Sequence, residues 1–268
     1  MSAIQQAIAA LGSSGPVTGQ QAYTSTGTYS WTAHSGVTSV SVVCISPSGT
    51  SRAGGLAYLN NYSVTPGSSY TVVVNGSGTT YFNDSSTCKA TNTATGQAGT
   101  AFFNGGTVIG SSSSTSPSAA GYSAHGVNSV NGTNGVPING SAGTGGAGGS
   151  GASFYYDDGT YTTISQGGGG GTGIYGQGSN GAGGVVNISG STYTATGGGG
   201  GSGGASGGNG PPASTSAGDQ AGGGGGSYGG ATSPTGLAIN GLPQSSGAAR
   251  IIWPGTTRQF PSTNTADM

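Results

Sequence analysis

The sequence predicts a mainly β protein: a small antiparallel β-sandwich followed by a glycine-rich region of packed polyglycine II helices, with almost no α-helix beyond a short N-terminal one. Three observations carry this. Residues 21–110 form short runs of alternating polar and apolar side chains, punctuated by turn dipeptides, as half-buried strands do. Between residues 141 and 230, 37 of 90 residues are glycine, so order in that stretch has to rest on something other than side chains. Helical spacing of apolar residues occurs in one short stretch, residues 1–11.

The N-terminal segment, residues 1–20, holds that stretch. Met1, Ile4, Ile8 and Leu11 fall on one stripe, and Gly12 with Gly15-Pro16 ends it. Three turns do not hold together alone, so the stripe is expected to dock, either on the rest of this chain or on another subunit. Over residues 21–110 the period changes to two. Thr28–Thr32 and Ser39–Ser46 read as strands around the turn signal His34-Ser35-Gly36. The stretch "YLNNYSVTPGSSYTVVVNGSGTTYF" supplies three more, separated by Pro66-Gly67 and Asn75-Gly76. Trp31, Val40, Val42, Tyr70, Val72 and Val74 are the expected core of the sandwich, and about 90 residues suffice for one such core.

Residues 111–248 open with the polar run "SSSSTSPSAAGYSAHG" and then carry glycine tracts at 145–149, 167–171, 181–184, 197–204, 222–226 and 229–230. Their spacing is too uneven for a solenoid repeat and lacks the Gly-X-Y period of collagen. Such tracts can form a helix of the polyproline II type, with three residues per turn and a rise of about 3.1 Å. This helix makes no internal hydrogen bonds. Its N–H and C=O groups point outward, and neighbouring helices exchange them wherever no Cβ holds the backbones apart. Backbone hydrogen bonding then replaces an apolar core, and interruptions such as "TGIYGQ" belong at turns or on the outer layer. Residues 249–268 close the chain, with Arg250–Trp253 as a short strand that rejoins a sheet and ends at Pro254-Gly255.

The composition excludes several classes of function. Charged residues make up 3% of the chain: Arg52, Lys89, Arg250 and Arg258 against Asp84, Asp157, Asp158, Asp219 and Asp267, with no glutamate. There is no basic patch to neutralise phosphates, so no nucleic-acid partner is expected. Arg250 and Arg258 are expected to pair structurally with a carboxylate or a carbonyl rather than to bind an anion. "GTGIYG" at 171–176 matches the dinucleotide pattern G-x-G-x-x-G, but no buried strand precedes it, no helix opens in it and no acidic residue follows about 20 positions on. Among 62 glycines such matches arise by chance. Asp157 and Asp158 are adjacent, so in an extended segment they point to opposite sides and make no hydrolytic pair. His34 and His125 have no ligand spacing with Cys44 and Cys88, and no nucleophile-elbow motif frames a serine. The chain therefore reads as a non-enzyme without catalytic residues, cofactor or metal. No apolar stretch is long enough to cross a bilayer and the N-terminus lacks a signal-peptide pattern, which points to assembly in a cytoplasm. There the two cysteines either pair or, as that compartment favours, stay reduced and buried.

The residues that interrupt the glycine are the candidate contact surface. Phe154, Tyr155, Tyr156, Tyr161, Tyr175, Tyr193 and Tyr228 sit among Ser, Thr, Asn and Gly. Antibody loops use the same mixture, rigid aromatic area beside adaptable hydrogen bonders. The alternative is that these rings cap the ends of the glycine lattice.

Several stretches also resemble a known family. "YTSTGTYSWTAHSGVTSVSVVCIS" resembles the start of the glycine-rich tail proteins of marine and cyanobacterial phages, and "NNYSVTPGSSYTVVV", "GIYGQGSNGAGG" and "RIIWPGTTRQFPST" resemble their later signatures. More distantly, a β domain followed by glycine tracts is similar to the tip adhesins of T-even-like long tail fibres, where polyglycine helices stack in layers and loops at one end contact host receptors. The resemblance implies a virion protein at the tail periphery, a tail fibre or adhesin subunit, assembled in the host cytoplasm and displayed outside the particle. Implied partners are other virion proteins through the N-terminal segment, a host surface receptor of protein or glycan, and further copies of the chain as a trimer. A head fibre or other capsid-decorating protein is the second reading. An ice-binding protein, which would present one flat face of small residues, is a distant third.

Overall fold

The computed structural model describes residues 17–49, 52–107, 109, 115–160, 162–206, 209, 213–214, 220–222, 228–230 and 245–262. Met1, Ile4, Ile8 and Leu11, with the helix expected there, lie outside the described residues, and so does Tyr161. Among the described residues there is no helix, and the regular structure is all strand. In the first half these are β1 (Gly19–Tyr23), β2 (Gly27–Thr32), β3 (Ser39–Ile45), β4 (Leu56–Ser63), β5 (Ser69–Val74), β6 (Thr79–Phe82), β7 (Cys88–Thr91) and β8 (Ala101–Phe103). The rest are β9 (Ser153–Asp157), β10 (Thr162–Gln166), β11 (Val186–Ser189), β12 (Thr192–Ala195), β13 (Ala213–Ser214), β14 (Gln220–Gly222) and β15 (Ala248–Trp253).

Two antiparallel sheets form the β half. One has the order β1-β15-β3-β4-β8 and the other β2-β5-β6-β7. β2 to β6 are strands that the sequence predicts, and the C-terminal strand enters the larger sheet between β1 and β3. Thr65-Pro66-Gly67-Ser68 turns β4 into β5: the Ser68 N–H donates to the Thr65 carbonyl at 3.0 Å, and Gly67 sits at φ +82, a conformation open to glycine without strain.

β3 explains the layering. Every residue of SVSVVCI is buried, because the two faces of the strand meet different cores. Val40, Val42 and Cys44 point into a cluster with Trp31, Val72, Val74, Phe82 and Trp253 between the two sheets. This is the sandwich core expected from sequence, with Tyr70 half-buried against it. Cys44 and Cys88 are free thiols in it. Burial, with Cys88 adjacent, pushes the Cys44 thiol well above its ordinary range. Val43 and Ile45 point the other way, into a second cluster with Leu56, Ile252, Tyr122, Ile174 and Phe260. That cluster goes beyond the sequence-based expectation. It seats the glycine-rich half on the back of the larger sheet.

The stretch 111–248 is not glycine tracts alone, which corrects the expectation for it. β9 and β10 form an antiparallel hairpin, with β14 parallel to β10. β11 and β12 form another, with β13 beside β12. The reason is local: SFYYD and TTISQ carry aromatic and β-branched side chains on either side of an Asp-Gly turn, which a ladder accommodates better than a glycine helix does.

Between the hairpins the tracts lie side by side and exchange backbone hydrogen bonds in steps of three residues. Gly140 N–H donates to the Gly184 carbonyl and Gly143 to Gly181, both at 2.8 Å. Gly181 donates to Ala147 and Gly184 to Ser150, and Gly198 donates to Gly168 and Gly201 to Gly171, all at 2.9 Å. Successive residues turn to different neighbours: Gly149 N–H goes to Gly199 (2.9 Å), Ser150 to Ser141 (2.9 Å), Gly151 to Ser116 (3.0 Å), and Ala152 returns to the first neighbour at Thr196 (3.0 Å). A strand, whose residues alternate between two directions, does not bond in this way. The approach is close. A Cβ at Gly149 would overlap the Ala182 carbonyl, and one at Gly170 would overlap that of Gly199.

Candidate functional site

One end of the glycine-rich half is built from three loop tips. Segment 133–138 runs along β9: Ile138 pairs with Ser153, and the Gly135 N–H donates to the Tyr155 carbonyl at 2.8 Å. Asn134 and Asp157 exchange two bonds, Asp157 N–H to Asn134 Oδ1 at 2.8 Å and Asn134 Nδ2 to the Asp157 carbonyl at 2.7 Å. The turn at 133–136, closed by the Val136 N–H on the Thr133 carbonyl at 3.1 Å, therefore lies beside the β9–β10 tip, 158–160. On its other flank, segment 136–143 runs antiparallel to 181–188 through Gly140–Gly184, Gly143–Gly181 and a bond from Val186 N–H to Asn139 Oδ1 at 2.9 Å. β12 closes the ring, Ala195 N–H donating to Ser165 Oγ of β10 at 3.0 Å, and Ala152 N–H to Thr196. The β11–β12 tip, 189–191, thus points to the same end.

Phe154 lies inside this ring and is 1% exposed. Its ring stacks on Tyr193 with centroids 3.6 Å apart and planes 3° from parallel. Phe154 is thereby corrected as a contact candidate, because an apolar ring at the end of a lattice without side chains is driven inward. Tyr193, half-buried, gives one face to Phe154. The two rings cap the lattice, which is the alternative that the sequence left open for them. Tyr155 and Tyr156 are half-buried on β9, with the Tyr155 hydroxyl donating to Asp157 Oδ2 at 3.1 Å.

Tyr175 and Tyr228 are not at the tips. Tyr175 is 51% exposed and covers Arg250, whose guanidinium carbon is 4.7 Å from the ring centroid. Arg250 is buried on the rear face of β15; its Nε donates to Gln20 Oε1 at 2.9 Å and its Nη1 to the Ile174 carbonyl at 3.4 Å. Burial lowers its pKa, yet a guanidinium stays charged in a protein. Arg258 donates to the carbonyls of Gly19 at 2.5 Å and Trp253 at 3.1 Å. Carbonyl pairing is among the roles expected for both arginines. Tyr228 packs half-buried against the rear cluster. His34 packs beside Trp253, and His125 Nδ1 accepts the Asn104 N–H at 2.9 Å.

Sequence reasoning missed the aliphatic residues of the tips. Val136 is 47% and Ile188 57% exposed, and Val130 and Val185 are exposed on the same segments. Their signal is faint: single aliphatic side chains set in "NGTNGVPING" and "NISGST". Asp157 and Asp158 bring negative charge and shape the β9–β10 tip, accepting the N–H of Gly159 at 2.9 Å and of Thr160 at 2.8 Å. The four cations of the chain lie elsewhere: Arg52 on the Gly105 carbonyl, Lys89 in β7, Arg250 in β15 and Arg258 after it. Among the described residues no group of three or more His, Cys, Asp or Glu side chains is placed to hold a metal. No protein-family model matches the chain, and neither a curated protein nor a solved structure matches it.

Proposed function

We propose that this chain is a virion protein of the tail periphery, a fibre or tip-adhesin subunit, in which polyglycine II helices hold a host-contacting loop face rigid. The observation that carries the reading is the three-residue step of the glycine hydrogen bonds. A helix with three residues per turn sends its N–H groups in three directions, so every third one meets the same neighbour. The pairs Gly140–Gly184 and Gly143–Gly181 are spaced so, as are Gly198–Gly168 and Gly201–Gly171. Such a lattice is fixed by direct backbone bonds rather than by side chains that can repack. Loops mounted on it are preorganised and lose little freedom on binding. That suits attachment, and the role is non-catalytic.

In this reading the stripe Met1, Ile4, Ile8 and Leu11 joins the chain to another virion protein, and the tips point outward to the host. Purified chain added to host cells before infection competes with the virus for attachment. A variant with 131–136 and 158–160 replaced by Gly/Ser loops of equal length keeps the parent melting temperature and does not compete. An intact chain that fails to compete overturns the attachment reading. Removing residues 2–12 leaves a folded protein that no longer enters particles; undiminished incorporation overturns the docking role.

A further inference from the structure

We propose that the loop face docks a protein surface of aliphatic and basic side chains rather than an acidic glycan; this rests on reading the tips as the contact face. Two features set the chemistry. The first is what the tips expose. Val136, which closes the turn at 133–136, and Ile188 of β11 are both about half exposed. Exposed aliphatic groups that a scaffold holds in place gain by leaving water against another apolar surface. A sugar ring, hydroxylated around its edge, offers them little. Sugars are gripped instead by open aromatic faces, and at this end Phe154 is buried and stacked on Tyr193, while Tyr155 and Tyr156 are half-buried on β9.

The second feature is charge. Asp157 and Asp158 stand at the β9–β10 tip, and the four cations of the chain lie away from it, the three arginines on carbonyl or amide oxygens and Lys89 half-buried in β7. A phosphate- or carboxylate-bearing polymer would meet two carboxylates and no cation, which repels it. Lys or Arg on a protein loop would be attracted, and its approach steered.

The test measures binding of the labelled chain to host cells that are intact, shaved with protease or oxidised with periodate. Shaving is expected to abolish binding and periodate to leave it. Val136→Ser and Ile188→Ser each weaken binding by about tenfold. Asp158→Asn weakens it by about threefold at low salt and hardly at high salt. Tyr175→Ser, at the sheet end, leaves it unchanged. Melting curves establish that each variant is folded. Binding that survives shaving and disappears with periodate, or that strengthens in Asp158→Asn, overturns the protein partner while the tips stand as the contact face. Binding indifferent to Val136, Ile188 and Asp158 substitutions overturns the face itself.

Discussion

At Phe154 one apolar ring closes the end of a region with few large side chains inside it. Phe154→Ala empties the space between β9 and β12 and leaves Tyr193 without its stacking partner, so a loss of about 3–5 kcal/mol is expected in thermal or urea melts. Tyr175→Ser is the contrast: it removes an exposed ring from above Arg250, worth about 0.5–1 kcal/mol. A Phe154→Ala protein that melts like the parent would return that ring to the surface. Asp84 makes a residue-scale prediction of another kind. The Ser86 hydroxyl and N–H donate to its carboxylate at 2.6 and 2.7 Å, and the Thr87 hydroxyl and N–H at 2.9 and 3.0 Å. These bonds, the Ser86 hydroxyl foremost, hold its pKa at about 2, below the ordinary 3.8. A depressed carboxylate pKa means that the charged form supports the fold above 3.8, and that this support is lost as the pH falls through about 2. The group is exposed, so solvent screening keeps the effect small. Urea melts between pH 5 and pH 2 should show a shallower pH slope for Asp84→Asn than for the parent. Identical slopes would remove Asp84 from the acid response.

Elements differ in how they tolerate an added carbon. Gly199 N–H donates to the Ala182 carbonyl at 2.7 Å, and its own carbonyl accepts from Gly149 at 2.9 Å. A Cβ there would stand 2.8 Å from the Ala182 nitrogen, so Gly199→Val forces the tracts apart, and each orphaned donor costs about 1–3 kcal/mol. Gly190, in the β11–β12 turn, is the opposite case: φ is +59 and nothing lies within 4 Å. Asparagine tolerates that conformation, so Gly190→Asn should melt with the parent while Gly199→Val melts well below it. Equal melting of the two variants would refute the lattice argument. The same elements show what the sequence makes legible. β2 to β6 and β15 can be read because their runs are strand-prone and turn signals at His34-Ser35-Gly36, Pro66-Gly67, Asn75-Gly76 and Pro254-Gly255 separate or end most of them. The two hairpins at 153–166 and 186–195 carry Asp158-Gly159 and Gly190-Ser191 between strand-prone runs, but a two-residue period over so few residues is hard to see amid glycine tracts. β8, β13 and β14 have three residues or fewer, too short to show a period, and CKAT of β7 lacks the β-branched and aromatic run TTYF of β6. Val136 and Ile188 escape for another reason: their exposure depends on where their loops end in space, which local pattern does not encode.

In the whole molecule the larger sheet is a middle layer. Its front meets the four-stranded sheet across Val40, Val42, Val72, Val74 and Trp253, and its back meets Tyr122, Ile174 and Phe260. Backbone bonds reinforce the rear contact: Ala120 N–H donates to Gly54 at 3.1 Å and Gly54 N–H to Gly229 at 2.6 Å. Tyr122, fully buried, donates its hydroxyl to the Gly173 carbonyl at 3.1 Å and accepts the Gly176 N–H at 3.2 Å. The full chain should therefore unfold in one calorimetric transition rather than as two separate regions. A shortened chain, with residues 108–244 replaced by a Gly/Ser linker, keeps every strand of both sheets yet loses Tyr122 and Ile174 from the rear cluster. Val43, Ile45, Leu56 and Ile252 would then face water as one apolar surface, and Arg250 would lose the Ile174 carbonyl and the Tyr175 ring. Such a patch drives association, so light scattering should find the shortened chain aggregated, and calorimetry should find no native-like transition. A soluble, monomeric and cooperatively melting short chain would mean that the front core alone sustains the sandwich, with the glycine-rich half an attachment to it rather than its third layer.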